Sequence, residues 1–97
     1  MKAAFISYNQ ALTEAIDAVL SHLHIRGYTK WELTTGRGSI NGEPHMGNHT
    51  WPAMNSSILA IIPDEKVEPL LNTLRKLDAK TEQQGCRAFI WNIENQM

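Results

Sequence analysis

From residue 36 to residue 52 the chain runs Gly-Arg-Gly-Ser-Ile-Asn-Gly-Glu-Pro-His-Met-Gly-Asn-His-Thr-Trp-Pro, a stretch with neither helical nor strand period. Glycines at 36, 38, 42 and 47, with Pro44 and Pro52, break every pattern that could start there. An uninterrupted loop of this length is uncommon inside a compact domain, and where one occurs it is a functional loop or a disordered segment. The flanking residues must therefore build the scaffold, and the segment 36–55 is expected to carry the activity. At 97 residues the chain suffices for one hydrophobic core and not for two, so residues 1–97 are read as a single domain.

Ala3 to Tyr8 is short, apolar and aromatic, which suits a buried strand. From Gln10 to Leu23, the residues Leu12, Ile16, Val19, Leu20 and Leu23 recur at helical spacing with Glu14 and Asp17 on other faces, predicting an amphipathic helix. Gly27 is the expected turn residue after it. Tyr28 to Thr35 alternates, with Thr29, Trp31 and Leu33 on one side and Lys30, Glu32 and Thr34 on the other, and reads as a half-buried strand. Ser57 to Ile62 reads as a central strand covered on both faces. Asp64 is the expected N-cap of a second helix whose stripe is Val67, Leu70, Leu71, Leu74 and Leu77, with Pro69 tolerable because it falls near the start. Cys86 to Asn92 alternates again.

The order β-α-β-loop-β-α-β predicts an α+β, ferredoxin-like sandwich: a four-stranded antiparallel sheet with two helices on one face and a long insertion between strands 2 and 3. The strands carry apolar side chains on both faces, including Trp31, Leu33, Phe89 and Trp91. Two short helices cannot cover that much apolar sheet, so a closed cyclic oligomer is expected.

A net charge of −1 offers no basic stripe for nucleic acid or for an anionic membrane surface. No apolar run reaches the roughly 18 residues of a membrane span, and the N-terminus lacks the pattern of a secretory signal. The expectation is a cytoplasmic protein without nucleic-acid partners or membrane insertion.

The lone Cys86 falls within an expected strand beside Arg87 and reads as a core thiol rather than a nucleophile. The first strand-to-helix connection, Tyr8-Asn9-Gln10, lacks the glycines and arginine that acylphosphatase, of the same size and topology, carries there. Gly36-Arg37-Gly38 follows a strand as a phosphate-binding loop would, but no helix follows it, so a dinucleotide fingerprint is missing. What the residues can do is hold a phosphate with backbone N–H groups and the Arg37 fork. Glu43, His45 and His49 are metal-ligand types within one short segment and could hold zinc or another divalent ion. Ser39 and Trp51 lie in the same loop, and Trp51 either packs on a neighbouring surface or anchors a partner.

Several segments together resemble the PII signal-transduction proteins: Leu23 to Thr29, then Gly36-Arg37, then Ile62-Pro63-Asp64-Glu65-Lys66-Val67, then Thr81 to Gly85 with Arg87 and Phe89, and finally Trp91-Asn92-Ile93-Glu94. The resemblance spans almost the whole chain and rests on the order of the motifs around one long loop. It implies a non-enzymatic homotrimer whose clefts between subunits bind adenine nucleotides, while the long T-loop regulates a transporter or enzyme. It places Gly27 and Thr29 near the adenine, Gly36, Arg37 and Gly38 near phosphates, and Gly85 and Arg87 in the glycine-containing B-loop, with Arg87 where the family has a phosphate-binding lysine. The segment Thr81 to Arg87 departs from the family's pattern by lacking two of its glycines, and Glu82 adds a negative charge where a triphosphate would approach. A CutA-like trimer, sharing the fold and assembly, is the alternative; it would bind divalent metal through Glu43, His45 and His49.

Overall fold

The computed structural model describes residues 1–37, 46, 54–80 and 85–97. Strand β1 (Lys2–Asn9) leads through a 3-10 turn (Gln10–Leu12) into helix α1 (Thr13–His22) and strand β2 (Tyr28–Thr34). After the long connection come β3 (Asn55–Ile62), a second 3-10 turn (Asp64–Lys66), α2 (Val67–Lys80) and β4 (Cys86–Asn92). The sheet order is β2-β3-β1-β4 with every neighbouring pair antiparallel, the arrangement expected from the sequence.

One face of the sheet packs on the helices. Ala4, Ile6 and Tyr8 of β1, Ile58, Ala60 and Ile62 of β3, and Cys86 of β4 join Leu12, Ile16 and Leu20 on the α1 side and Leu70 and Leu74 of α2 in a single core. Pro69 is the third residue of α2, where its missing N–H has no partner to lose.

Several local expectations are corrected. Ahead of α1 stands a separate 3-10 turn that Asn9 caps, its side chain accepting from the Ala11 N–H at 2.9 Å. The end of α1 is shaped by His24, not Gly27. His24 takes φ 58°, its N–H donates to Ser21 at 3.1 Å, and Ile25 N–H donates to Leu20 at 2.8 Å. That pair of bonds is a Schellman motif, and its residues Ile25 and Leu20 are both buried in the core. Asp64 makes no capping bond, because Pro63 occupies the position before the turn; its carboxylate instead lies 3.0 Å from the Met1 amine and 3.9 Å from Lys2 Nζ. Those two cations hold its carboxyl below the usual range.

The second face of the sheet is left open by the helices, as its excess of apolar strand residues leads one to expect, and departs from expectation only in detail. On the second face of β3 Ser57 is buried and Leu59 half-buried, but Ile61 is exposed within the protomer. β2 is an edge strand exposed on both sides except at Lys30 and Thr34. Its pairing slips between Trp31, opposite Ser57, and Thr34, opposite Asn55, so β2 carries one extra residue. This bulge brings Thr34 Oγ1 to 3.3 Å from Ser57 Oγ and leaves Leu33 63% exposed. The carbonyl of Glu32 within the bulge accepts from the buried Ser56 hydroxyl at 2.6 Å. Trp31 at 46%, Phe89 at 57% and Trp91 at 49% are exposed on this open face.

Candidate functional site

The antiparallel register fixes where the ligand-binding candidates lie. Trp31 pairs with Ser57, Ser57 with Ser7, and Ser7 with Arg87, forming one row across all four strands. Arg87 thus sits on the β4 edge, at the end of the sheet where β2 leads into Gly36 and Arg37. Three strand spacings separate the two edges, roughly 14 Å. Gly27 and Thr29 lie at the opposite end of β2. Within one protomer the candidates therefore form separate groups: Gly27 with Thr29, Gly36 with Arg37, and Gly85 with Arg87. Gly38, Ser39, Glu43, His45, His49 and Trp51 fall outside the described residues, as does the segment 81–84 with Glu82. Among the described residues, no group of three or more metal-ligating side chains comes together.

Two consecutive amides at the end of β1 tie down both loop ends on this rim. Asn9 N–H donates to the Gly85 carbonyl at 3.0 Å, and Gln10 N–H donates to the Met54 carbonyl at 2.8 Å. Gly85 closes the connection from α2 to β4, and Met54 closes the long loop before β3. Gly85 takes φ +76°, a backbone conformation that side-chain-bearing residues adopt at a cost. At Gly36 a methyl group would come within 2.9 Å of Asn55 Nδ2, so the start of the loop runs close against the start of β3.

Arg87 is 52% exposed and is held from behind. Its Nη1 donates to the Cys86 carbonyl at 2.9 Å and lies 3.5 Å from Asp78 Oδ2 on the last turn of α2. The other oxygen of Asp78 accepts from the Cys86 N–H at 3.1 Å. Burial pushes the Cys86 thiol up to about 11, Asp78 adding to the rise and Arg87 opposing it. A thiol in that state is a poor nucleophile at neutral pH, in keeping with the core role read from the sequence.

On the helix face lies a polar cleft of about 430 Å³, lined by Gln10, Ala11, Thr13, Glu14, Lys30, Glu32 and Ser56. None of the described ligand-binding candidates lines it. Lys30 spans from β2 to Asp17 of α1 with Nζ 2.8 Å from Oδ1, and that hydrogen bond raises its pKa. Nearby, the Tyr8 hydroxyl is buried with no well-formed hydrogen bond among the described residues, and its pKa is raised by burial first. Ser56 and Thr13, the hydroxyls beside it, donate to the carbonyls of Glu32 and Gln10, each at 2.6 Å.

Sequence reasoning missed Asn9, Gln10 and Asp78. An asparagine directly before an apolar helical pattern is an N-cap signature and marks Asn9. Asp78 also left a trace, since a carboxylate in the last turn of a helix opposes the macrodipole and asks for another reason to be there.

All of residues 1–97 match the family model for nitrogen regulatory protein P-II. A comparison with curated proteins finds no match. Among solved structures, CPII from Thiomonas intermedia K12, a nitrogen regulatory PII-like protein bound to ADP, AMP and bicarbonate, is similar at 24% identity over 95% of this chain and 84% of that one, with a TM-score of 0.76. CPII bound to ADP and bicarbonate gives 25% identity over the same shares and a TM-score of 0.75. Its apo form gives 20% identity over 95% of this chain and 89% of that one, with a TM-score of 0.68.

Proposed function

The chain belongs to the nitrogen regulatory protein P-II family, and from that premise we propose that it is a cytoplasmic, non-enzymatic homotrimer that senses a small anionic effector and regulates a protein partner. The effector is an adenine nucleotide or another small anion such as bicarbonate. It binds in clefts between subunits, formed by Gly27, Thr29, Gly36, Arg37, Gly38, Gly85 and Arg87. The partner, a membrane transporter or a metabolic enzyme, is contacted through residues 36–55, with Ser39 and Trp51 as contact points.

The observation that carries this reading is the placement of Arg87, half exposed at the same end of the sheet as Arg37 but on the opposite edge. One protomer keeps the two on opposite edges and does not by itself bring both to one phosphate. A neighbouring subunit packed by its own edge can, and the uncovered apolar face that carries Trp31, Phe89 and Trp91 supplies the area for such packing. The full-length family match and the ligands named for CPII support the choice of effector class.

Calorimetric titration with ADP, AMP and bicarbonate tests the reading, paired with light scattering for the mass. Binding of at least one of these ligands by a trimer supports it. A monomer that takes up none of them refutes it.

A further inference from the structure

We propose that Asp78 sets how much negative charge the anion site accepts, acting as a built-in competitor for Arg87. The proposal rests on the reading of Arg87 as an anion contact. The geometry is specific. Asp78 Oδ1 is fixed by the Cys86 N–H at 3.1 Å, which leaves Oδ2 at 3.5 Å from Arg87 Nη1. The same nitrogen donates to the Cys86 carbonyl at 2.9 Å, so the two contacts together hold the guanidinium at the junction of α2 and β4. Both of these contacts use Nη1, and among the described residues Nε and Nη2 remain for a ligand. An anion approaching them meets a guanidinium already partly neutralised and a second carboxylate just behind it.

Two effects oppose each other here. By orienting Arg87, Asp78 reduces the rotamer freedom lost on binding, an advantage that is the same for every anion. By its charge it repels the ligand, and that penalty grows with ligand charge. A ligand oxygen on Arg87 would lie about 7 Å from the Asp78 carboxylate, where repulsion in a water-like dielectric amounts to roughly two- to threefold in affinity per unit charge. For a polyanion the repulsion outweighs the orientation. Asp78 is 36% exposed, so added salt weakens the penalty without abolishing it. The site is thereby biased toward ligands of low charge and away from triphosphates.

The test titrates AMP, ADP and ATP, without divalent metal and at low salt, into the wild type, Asp78→Asn, Asp78→Glu, Arg87→Ala and the double variant Asp78→Asn with Arg87→Ala. The amide introduced by Asp78→Asn keeps an oxygen for the Cys86 N–H, so the connection from α2 to β4 stays in place, as an unchanged melting temperature will report. Asp78→Asn should tighten binding by a factor that rises along the series, by roughly twofold at each added charge. Asp78→Glu should retain the wild-type order of affinities. In the Arg87→Ala background the gain from Asp78→Asn should shrink, because the charged end of the ligand is no longer held within about 7 Å of the carboxylate. Equal gains for all three nucleotides, or weaker binding of all three, would overturn the role of Asp78 while leaving the anion site standing. Affinities that Arg87→Ala does not change would remove the anion site itself, and this proposal with it.

Discussion

Asn9 donates its backbone N–H to the carbonyl of Gly85 at 3.0 Å, so the last residue of the connection into β4 is held by the end of the central strand β1. The next amide, of Gln10, holds Met54 at 2.8 Å on the other side. The termini of two loops that are remote in sequence therefore share one rigid support, two residues long, in the middle of the sheet. If these loops carry effector and partner contacts, this support keeps their bases at fixed separation.

Asn9→Pro should reveal the worth of that support. Asn9 has φ −61°, which a proline ring matches, so the substitution removes the N–H without backbone strain. It also removes the side-chain cap, as Asn9→Ala does alone at a cost of about 1 kcal/mol. Asn9→Pro should be less stable than Asn9→Ala by about a further 0.5–1.5 kcal/mol in denaturant unfolding. Equal stabilities would mean that the link to Gly85 contributes nothing.

Alkaline pH should destabilise the protein through Cys86. Its folded-state pKa of about 11 lies above the ordinary 9.0, so the unfolded chain loses the thiol proton first. The stability this group contributes is complete below pH 9 and declines between pH 9 and 11, by at most about 3 kcal/mol. Tyr8, also raised by burial, adds a fall of the same sign above pH 10. Unfolding measured across this range should be markedly flatter for Cys86→Ala, and an identical slope would contradict the buried-thiol account.

Assembly should depend on the open sheet face. Trp31, Ile61, Phe89 and Trp91 are exposed there, and charged side chains at Phe89 and Trp91 should yield a folded monomer. Light scattering at micromolar concentration should give a trimer for the wild type. A monomeric wild type would remove the basis for clefts between subunits.

The loop histidines should be silent toward anions. His45→Ala with His49→Ala should leave ADP affinity within about twofold, since neither residue belongs to the proposed anion site. If Glu43, His45 and His49 instead bind a divalent ion, zinc uptake will vanish in the same variant and will weaken in the wild type below about pH 6.5, where imidazole gains a proton.

Much of the scaffold is legible in the sequence because its signals are local. β4 falls where the alternation from Cys86 to Asn92 places it, and the stripe of Leu70 and Leu74 identifies the buried side of α2. The errors come where one side chain does a job that another usually does. Gly27 is the obvious turn residue, yet His24 tolerates the left-handed conformation because two hydrogen bonds and the burial of the following Ile25 fix it. Asp64 looks like a cap, but two cations claim its carboxylate. Alternation also marks Trp31 and Trp91 as belonging to a sheet without saying what covers them, because apolar periodicity reads the same whether the cover is a helix or another subunit. For the site, the sequence marks Arg87, whereas the Asp78 contact depends on how α2 ends against β4, a relation with no sequence pattern.

The central claim, an anion-sensing site that includes Arg87, is tested most directly by calorimetric titration of ADP into the wild type and Arg87→Ala, with and without bicarbonate. Loss of a charge-assisted contact worth about 1.5–3 kcal/mol predicts binding weakened roughly ten- to over a hundredfold in Arg87→Ala, with the melting temperature of the free protein little changed. Wild-type protein that binds neither ADP nor bicarbonate, or an Arg87→Ala variant that binds as the wild type does, would contradict it.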